Sequence, residues 1–182
     1  VDASVLGVTG DAATVEVTVR TPDGSELPGF AVSPGDADVA PDPGQSSASR
    51  TLAVPLGTDR LTVTTDDGAS VDAAVSVPAT PLSASVEGRD GFVDVTVAND
   101  AGVPVDDAVS VTGDVLATSV ERPVSLDAGD RLTFVVPTTR SGSGEVRVDA
   151  AAVETAETVA LQRAAFPAAD AADRPEAGRE PR

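Results

Sequence analysis

Apolar and polar residues alternate with period two through much of this chain. Val15, Val17 and Val19 fall on one side of an extended backbone, with Glu16, Thr18 and Arg20 on the other. Val93, Val95 and Val97 alternate in the same way with Asp94 and Thr96. Successive side chains of a strand point to opposite faces, so the pattern predicts half-buried strands with one wet face per sheet. Gly and Pro turns separate short strands, and no useful length of chain repeats at the helical period. The fold class predicted is all-β, with sheets packed face to face.

The strand pattern occurs twice. Residues 8–19 (VTGDAATVEVTV) align without a gap with residues 86–97 (VEGRDGFVDVTV). Each copy runs into a turn, Pro22-Asp23-Gly24 and then Asp100-Ala101-Gly102, and into a Val-rich segment ending at Ser33-Pro34-Gly35-Asp36 or Val111-Thr112-Gly113-Asp114. Pro43-Gly44 ahead of Arg50–Pro55 then matches Ala128-Gly129 ahead of Arg131–Pro137. The last two strands of each copy are placed at 60–66 and 70–77, and at 145–151 and 156–162. A rival pairing of Asp59–Val63 with Asp130–Phe134 is locally closer but leaves Glu157–Leu161 unused. Gly142-Ser143-Gly144 reads as a hairpin turn.

This predicts two tandem immunoglobulin-like β-sandwich domains, residues 1–78 and 82–162. The joint at 79–81 is short and Pro-rich: Pro78-Ala79-Thr80-Pro81 places two prolines in four residues, which stiffens and extends it. From residue 163 to 182 the chain turns to Ala, Pro, Asp and Arg and predicts a disordered tail. Phe30, Phe92, Phe134 and Phe166 are the only aromatic residues, so each core of about 80 residues rests on Val, Leu and Ala, near the small end for a self-sufficient domain.

Charge changes the picture next. The chain has 182 residues with 30 acids against 12 bases, every base is Arg, and the net charge is −18. Repulsion of that size opposes a compact state in dilute buffer, and molar salt shortens its reach to about 3 Å. The excess of Asp over Glu and the lack of Lys, Ile and Tyr point to a halophile with a GC-rich genome, a haloarchaeon, whose fold is lost at low salt. An acidic surface also opposes nucleic acid and anionic membranes as partners. The Arg residues are scattered, apart from a loose group at Arg174, Arg179 and Arg182. Without Cys there is no disulfide and no thiolate metal site. The chain lacks Met and has no apolar run of membrane-spanning length, so it is expected to be a processed or excised piece of a longer protein that does not itself enter a membrane.

Residues 93–162 resemble the CARDB-type and related Ig-like modules of prokaryotic surface proteins. The resemblance is carried by Asn99-Asp-Ala-Gly102 after one strand, by Asp127-Ala-Gly129 before another, and by the alternating runs Leu132–Val136 and Gly144–Asp149. The first copy, with Asp23-Gly24-Ser-Glu-Leu27-Pro28-Gly29, is similar to carboxypeptidase-regulatory and invasin-type repeats. These are turn and core features. They imply a fold, bring no catalytic residue with them, and leave function to specific sites.

Candidate chemistry is narrow. Without His, Cys, Lys or Tyr the usual general bases and activated nucleophiles are missing. The pairs Asp66-Asp67 and Asp106-Asp107 are adjacent in sequence, and neighbours on a strand diverge instead of flanking one bond. No catalytic site and no resident cofactor are expected. The metal candidate is calcium on Asp36, Asp38 and Asp42, three carboxylates within seven residues of one predicted loop. Their spacing is not that of an EF-hand. The function expected is a non-catalytic spacer or adhesion segment of an extracellular, cell-surface protein, with other proteins or neighbouring domains as partners. The alternatives are an accessory binding module of a surface enzyme or transporter, or a subunit of a surface layer, filament or virus particle. Sugar-binding platforms of Trp or Tyr are absent, which favours the first.

Overall fold

In the computed structural model, residues 1–139, 142–150 and 153–161 are described, the backbone alone for 142 and 153–161. Within them lie fourteen strands and no helix. The first seven are β1 (Asp2–Thr9), β2 (Ala12–Arg20), β3 (Phe30–Ser33), β4 (Ala37–Val39), β5 (Ser47–Pro55), β6 (Arg60–Thr65) and β7 (Ser70–Ala74). The second seven are β8 (Leu82–Arg89), β9 (Phe92–Asn99), β10 (Val105–Gly113), β11 (Val120–Leu126), β12 (Arg131–Pro137), β13 (Gly142–Ala150) and β14 (Val153–Leu161). The predicted tail, 163–182, lies outside the described residues.

Both sets pair in the same order. Strands β1, β2 and β5 form one layer of the first set, and β4, β3, β6 and β7 the other. In the second set β8, β9 and β12 correspond to the former, and β11, β10, β13 and β14 to the latter. The chain is all-β, two immunoglobulin-like sandwiches in tandem. β5 and β12 hold equivalent places, since Pro55 pairs with Ala12 and Pro137 with Phe92.

Alternation decides which side of each strand is dry. Val15, Val17 and Val19 of β2 are buried, as are Val93, Val95 and Val97 of β9. Val dominates the core; among the described residues Phe30 and Phe134 are its only rings, whereas Phe92 is 49% exposed. Gly142-Ser143-Gly144 is not a turn but the start of β13. Glycine is needed there for close approach, because a Cβ at Gly144 would lie 2.0 Å from Val115 Cγ1, and one at Gly113, which pairs with Val146, would lie 2.5 Å from Glu145 O.

The two copies are not superposed by the gapless alignment. Val5 faces Val15 in the first hairpin, and Val86 faces Val95 in the second. The hairpins close at Thr9 with Ala12 and at Arg89 with Phe92. Val15 is therefore equivalent to Val95, two residues from its sequence match at Val93, and Val19 is equivalent to Asn99. A slide of two leaves every side chain on its original face, so alternation cannot detect it. The first hairpin also has a register irregularity between Val5 and Gly7, which leaves Leu6 49% exposed; the second has none.

Candidate functional site: the joint between the sandwiches

The residues singled out by sequence are on the surface and apart in role. Asp36 sits in the β3–β4 turn with a positive φ of 44°, Asp38 is the middle residue of β4 opposite Ala31, and Asp42 lies beyond β4, where its carbonyl accepts from Gln45 N at 3.1 Å. All three side chains are exposed, and among the described residues no three acidic side chains are grouped so as to hold a metal ion.

Asp66 and Asp67 occupy the β6–β7 turn, and Asp106 and Asp107 begin β10. Asp67 is a turn clamp: its Oδ1 accepts from Thr65 Oγ1 and from Ala69 N. Asp23 does the same for Ser25, accepting from its Oγ at 2.7 Å and its N at 3.1 Å. Each carboxyl is held below the usual range, first by the side-chain hydroxyl and then by the backbone N–H. These carboxylates organise turns.

What the structure does build is a backbone joint. The end of β1 lies parallel to the start of β10, with Val8 beside Val105 and Thr9 beside Asp106. Val8 N donates to Pro104 O at 2.9 Å, and Gly10 N donates to Asp106 O at 3.0 Å. β10 can accept this strand because β13 pairs only with its far half, Ser110 to Gly113, leaving the near half of that edge free. One sheet therefore runs from the first sandwich into the second. Val8 and Val105 are 2% and 1% exposed, so the pairing is also dry.

Asn99 holds the receiving loop. It is the only buried polar side chain among the described residues, at 1% exposure. Its Nδ2 donates to the carbonyls of Val103 (2.9 Å), Leu126 (3.0 Å) and Asp127 (3.0 Å), and its Oδ1 accepts from Ala101 N (2.9 Å). Two N–H hydrogens are shared among three acceptors, and every polar atom of the side chain is used. The loop between β9 and β10 is thereby fixed to the one between β11 and β12, and with it Pro104, which receives Val8. The linker is held too: Pro78 O accepts from Gly57 N and Pro81 O from Asp100 N.

Sequence reasoning named Asn99 only as a turn residue and missed the joint altogether. A signal for Asn99 was present, since it is the one Asn in a chain rich in Asp. The β1–β10 contact has no such signal, because backbone atoms make it.

No protein-family model and no curated protein matches this chain. Among solved structures, the D0-D1 domain of intimin is similar at 15% identity and a TM-score of 0.33, over 88% of this chain and 97% of that one. Red sea bream transglutaminase is similar at 12% identity and a TM-score of 0.37; the match covers 88% of this chain and 31% of that one, so this chain spans about a third of its length. At scores this low neither likeness supports an inference about function, and the tandem-sandwich description rests on the strand pairing itself.

Proposed function

We propose that this chain is a non-catalytic, rigid spacer segment of a halophile cell-surface protein. Its domains are taken as 1–78 and 82–162, with 79–81 between them. The observation that supports this reading most directly is the β1–β10 pairing. Two domains on a bare linker move independently by default. Here a shared sheet and a dry contact replace that freedom with one relative orientation, which is what a spacer needs and what a hinged pair of binding modules does not.

Because the chain has no Cys, two introduced thiols can be spin-labelled uniquely. Labels at the exposed positions of Ala53→Cys on β5 and Glu121→Cys on β11 should give one narrow distance distribution in molar salt. Val8→Pro removes the N–H that reaches Pro104 and should broaden that distribution while circular dichroism stays β. A broad distribution in the parent chain would sink the rigid-spacer reading. Surface location is tested separately, by protease shaving of intact cells in growth-level salt. Peptides from residues 1–162 should be released together with peptides of flanking sequence. Their absence from the shaved fraction, with presence in the lysate, would place the protein inside the cell and end the surface assignment.

A further inference from the structure

The joint is an interface between unlike ends, the β1–β2 hairpin of one sandwich and the loop ahead of the third strand of the next. Each sandwich has both ends, so the chain contains one filled pair and one unfilled pair. On the second sandwich the unfilled end is the β8–β9 hairpin around Asp90 and Gly91, with Phe92 exposed beside it. On the first sandwich it is the segment ahead of β3.

That segment corresponds to the receiving loop by its pairings. Val32 lies opposite Val63 as Val111 lies opposite Val148, so β3 matches the far half of β10. Ahead of it Leu27 is buried and donates its N–H to Gln45 O at 2.7 Å, much as buried Val105 pairs with Leu126 ahead of the far half of β10. Where the second sandwich holds the end of β1, the first has an open groove of ≈ 690 Å³, lined among others by Val1, Leu27, Pro28, Val63, Asp67 and Val71. Val71 is 53% exposed, and among the described residues β7 pairs only with β6 and has no strand on its other edge.

We infer that this groove receives the β8–β9 hairpin of a second copy of the chain, so that copies add head to tail and extend the spacer. The occupant follows from continuity with the joint inside the chain, which shows that a hairpin of this kind docks beside a loop of this kind. An unlike-ended contact does not close on itself as a two-fold one does, so it propagates unless the geometry forms a ring. In molar salt the apolar part, Phe92 against Val71, provides most of the attraction, since charge is screened there.

Sedimentation velocity of the full chain in molar KCl, over a wide range of concentration, tests this. Species larger than a dimer should grow with concentration. Phe92→Asp spoils the hairpin and Val71→Asp spoils the groove, both at exposed positions, and each should weaken association by at least about tenfold. Mixed together, the two variants retain one good end each and should form one-to-one dimers that grow no further. A chain that stays monomeric throughout, a closed dimer indifferent to both substitutions, or a mixture that fails to pair would overturn the inference. So would amide shifts at Val71 on removal of residues 163–182 from a monomer, because the tail would then occupy the groove. These outcomes are separable from the spacer reading, which stands or falls on the distance distribution within one chain.

Discussion

Replacing Asn99 by Asp should be among the most damaging single changes this protein can suffer, worse than truncation to Ala. The Ala variant takes the Asn99 amide away from the carbonyls of Val103, Leu126 and Asp127 and from the N–H of Ala101, although Asp127 O still accepts from Asp130 N at 3.0 Å. At about 1–3 kcal/mol for each buried polar group left unmet, moderated by water entering the space, a total loss of about 3 kcal/mol is expected. The Asp variant keeps the shape and the acceptor for Ala101 but turns an ionised oxygen toward three carbonyl oxygens in a site of 1% exposure. An unpaired buried charge costs more than an unfilled bond, and the group escapes by taking a proton.

The pH dependence of Asn99→Asp carries the diagnostic sign. Its folded-state pKa is raised above the unfolded value of about 3.9. The variant is then least impaired below that value and loses stability as pH rises through the folded pKa. Urea melts in molar salt at several pH values check this. Asn99→Ala should show a deficit that changes little with pH, and Asn99→Asp one that grows from acid to neutral. Equal deficits for the two at neutral pH would show that the site is wetter than its geometry indicates. Spin labels across the joint should report both variants as looser, since Asn99 holds the loop that presents Pro104.

The second large effect is on the whole fold. In dilute buffer the β signal should be lost cooperatively below about molar salt and return when salt is restored. The net charge is −18, and ion pairs between exposed side chains, Arg20 with Asp2 and Arg60 with Asp72, offset little of it. At about 0.01 M salt the screening length is near 30 Å, long enough for acids across a sandwich to repel one another, and at 1 M it is near 3 Å. Against this stands a core of Val with two buried rings. If screening is the cause, NaCl and KCl at equal ionic strength should rescue alike, and an uncharged osmolyte at equal osmolality should rescue less. A thermal melt unchanged in dilute buffer would remove the halophile assignment.

Some of this was legible in the residues alone. Alternation specified which side of β2 and β9 is buried, because a period of two is a property of any extended chain lying on a core. Turn chemistry at Asp23-Gly24, Gly44 and Gly129 marked where strands stop. The equivalence of β5 with β12 followed from Arg50–Pro55 and Arg131–Pro137. Composition specified a Val core under an acidic surface. Each is a local consequence of side chains, present before any strand finds its partner.

Tertiary structure decided the rest. A two-residue slide preserves every face, so only the pairings of Val5 with Val15 and Val86 with Val95 could set the copies in register. That register is what turned Asn99 from a turn residue into the counterpart of core Val19. The parallel contact of β1 with β10 joins residues far apart in the chain through N–H and C=O groups that every residue has, so no side-chain pattern announces it. It exists because β13 leaves half of one strand edge open, and an edge is a property of the assembled sheet.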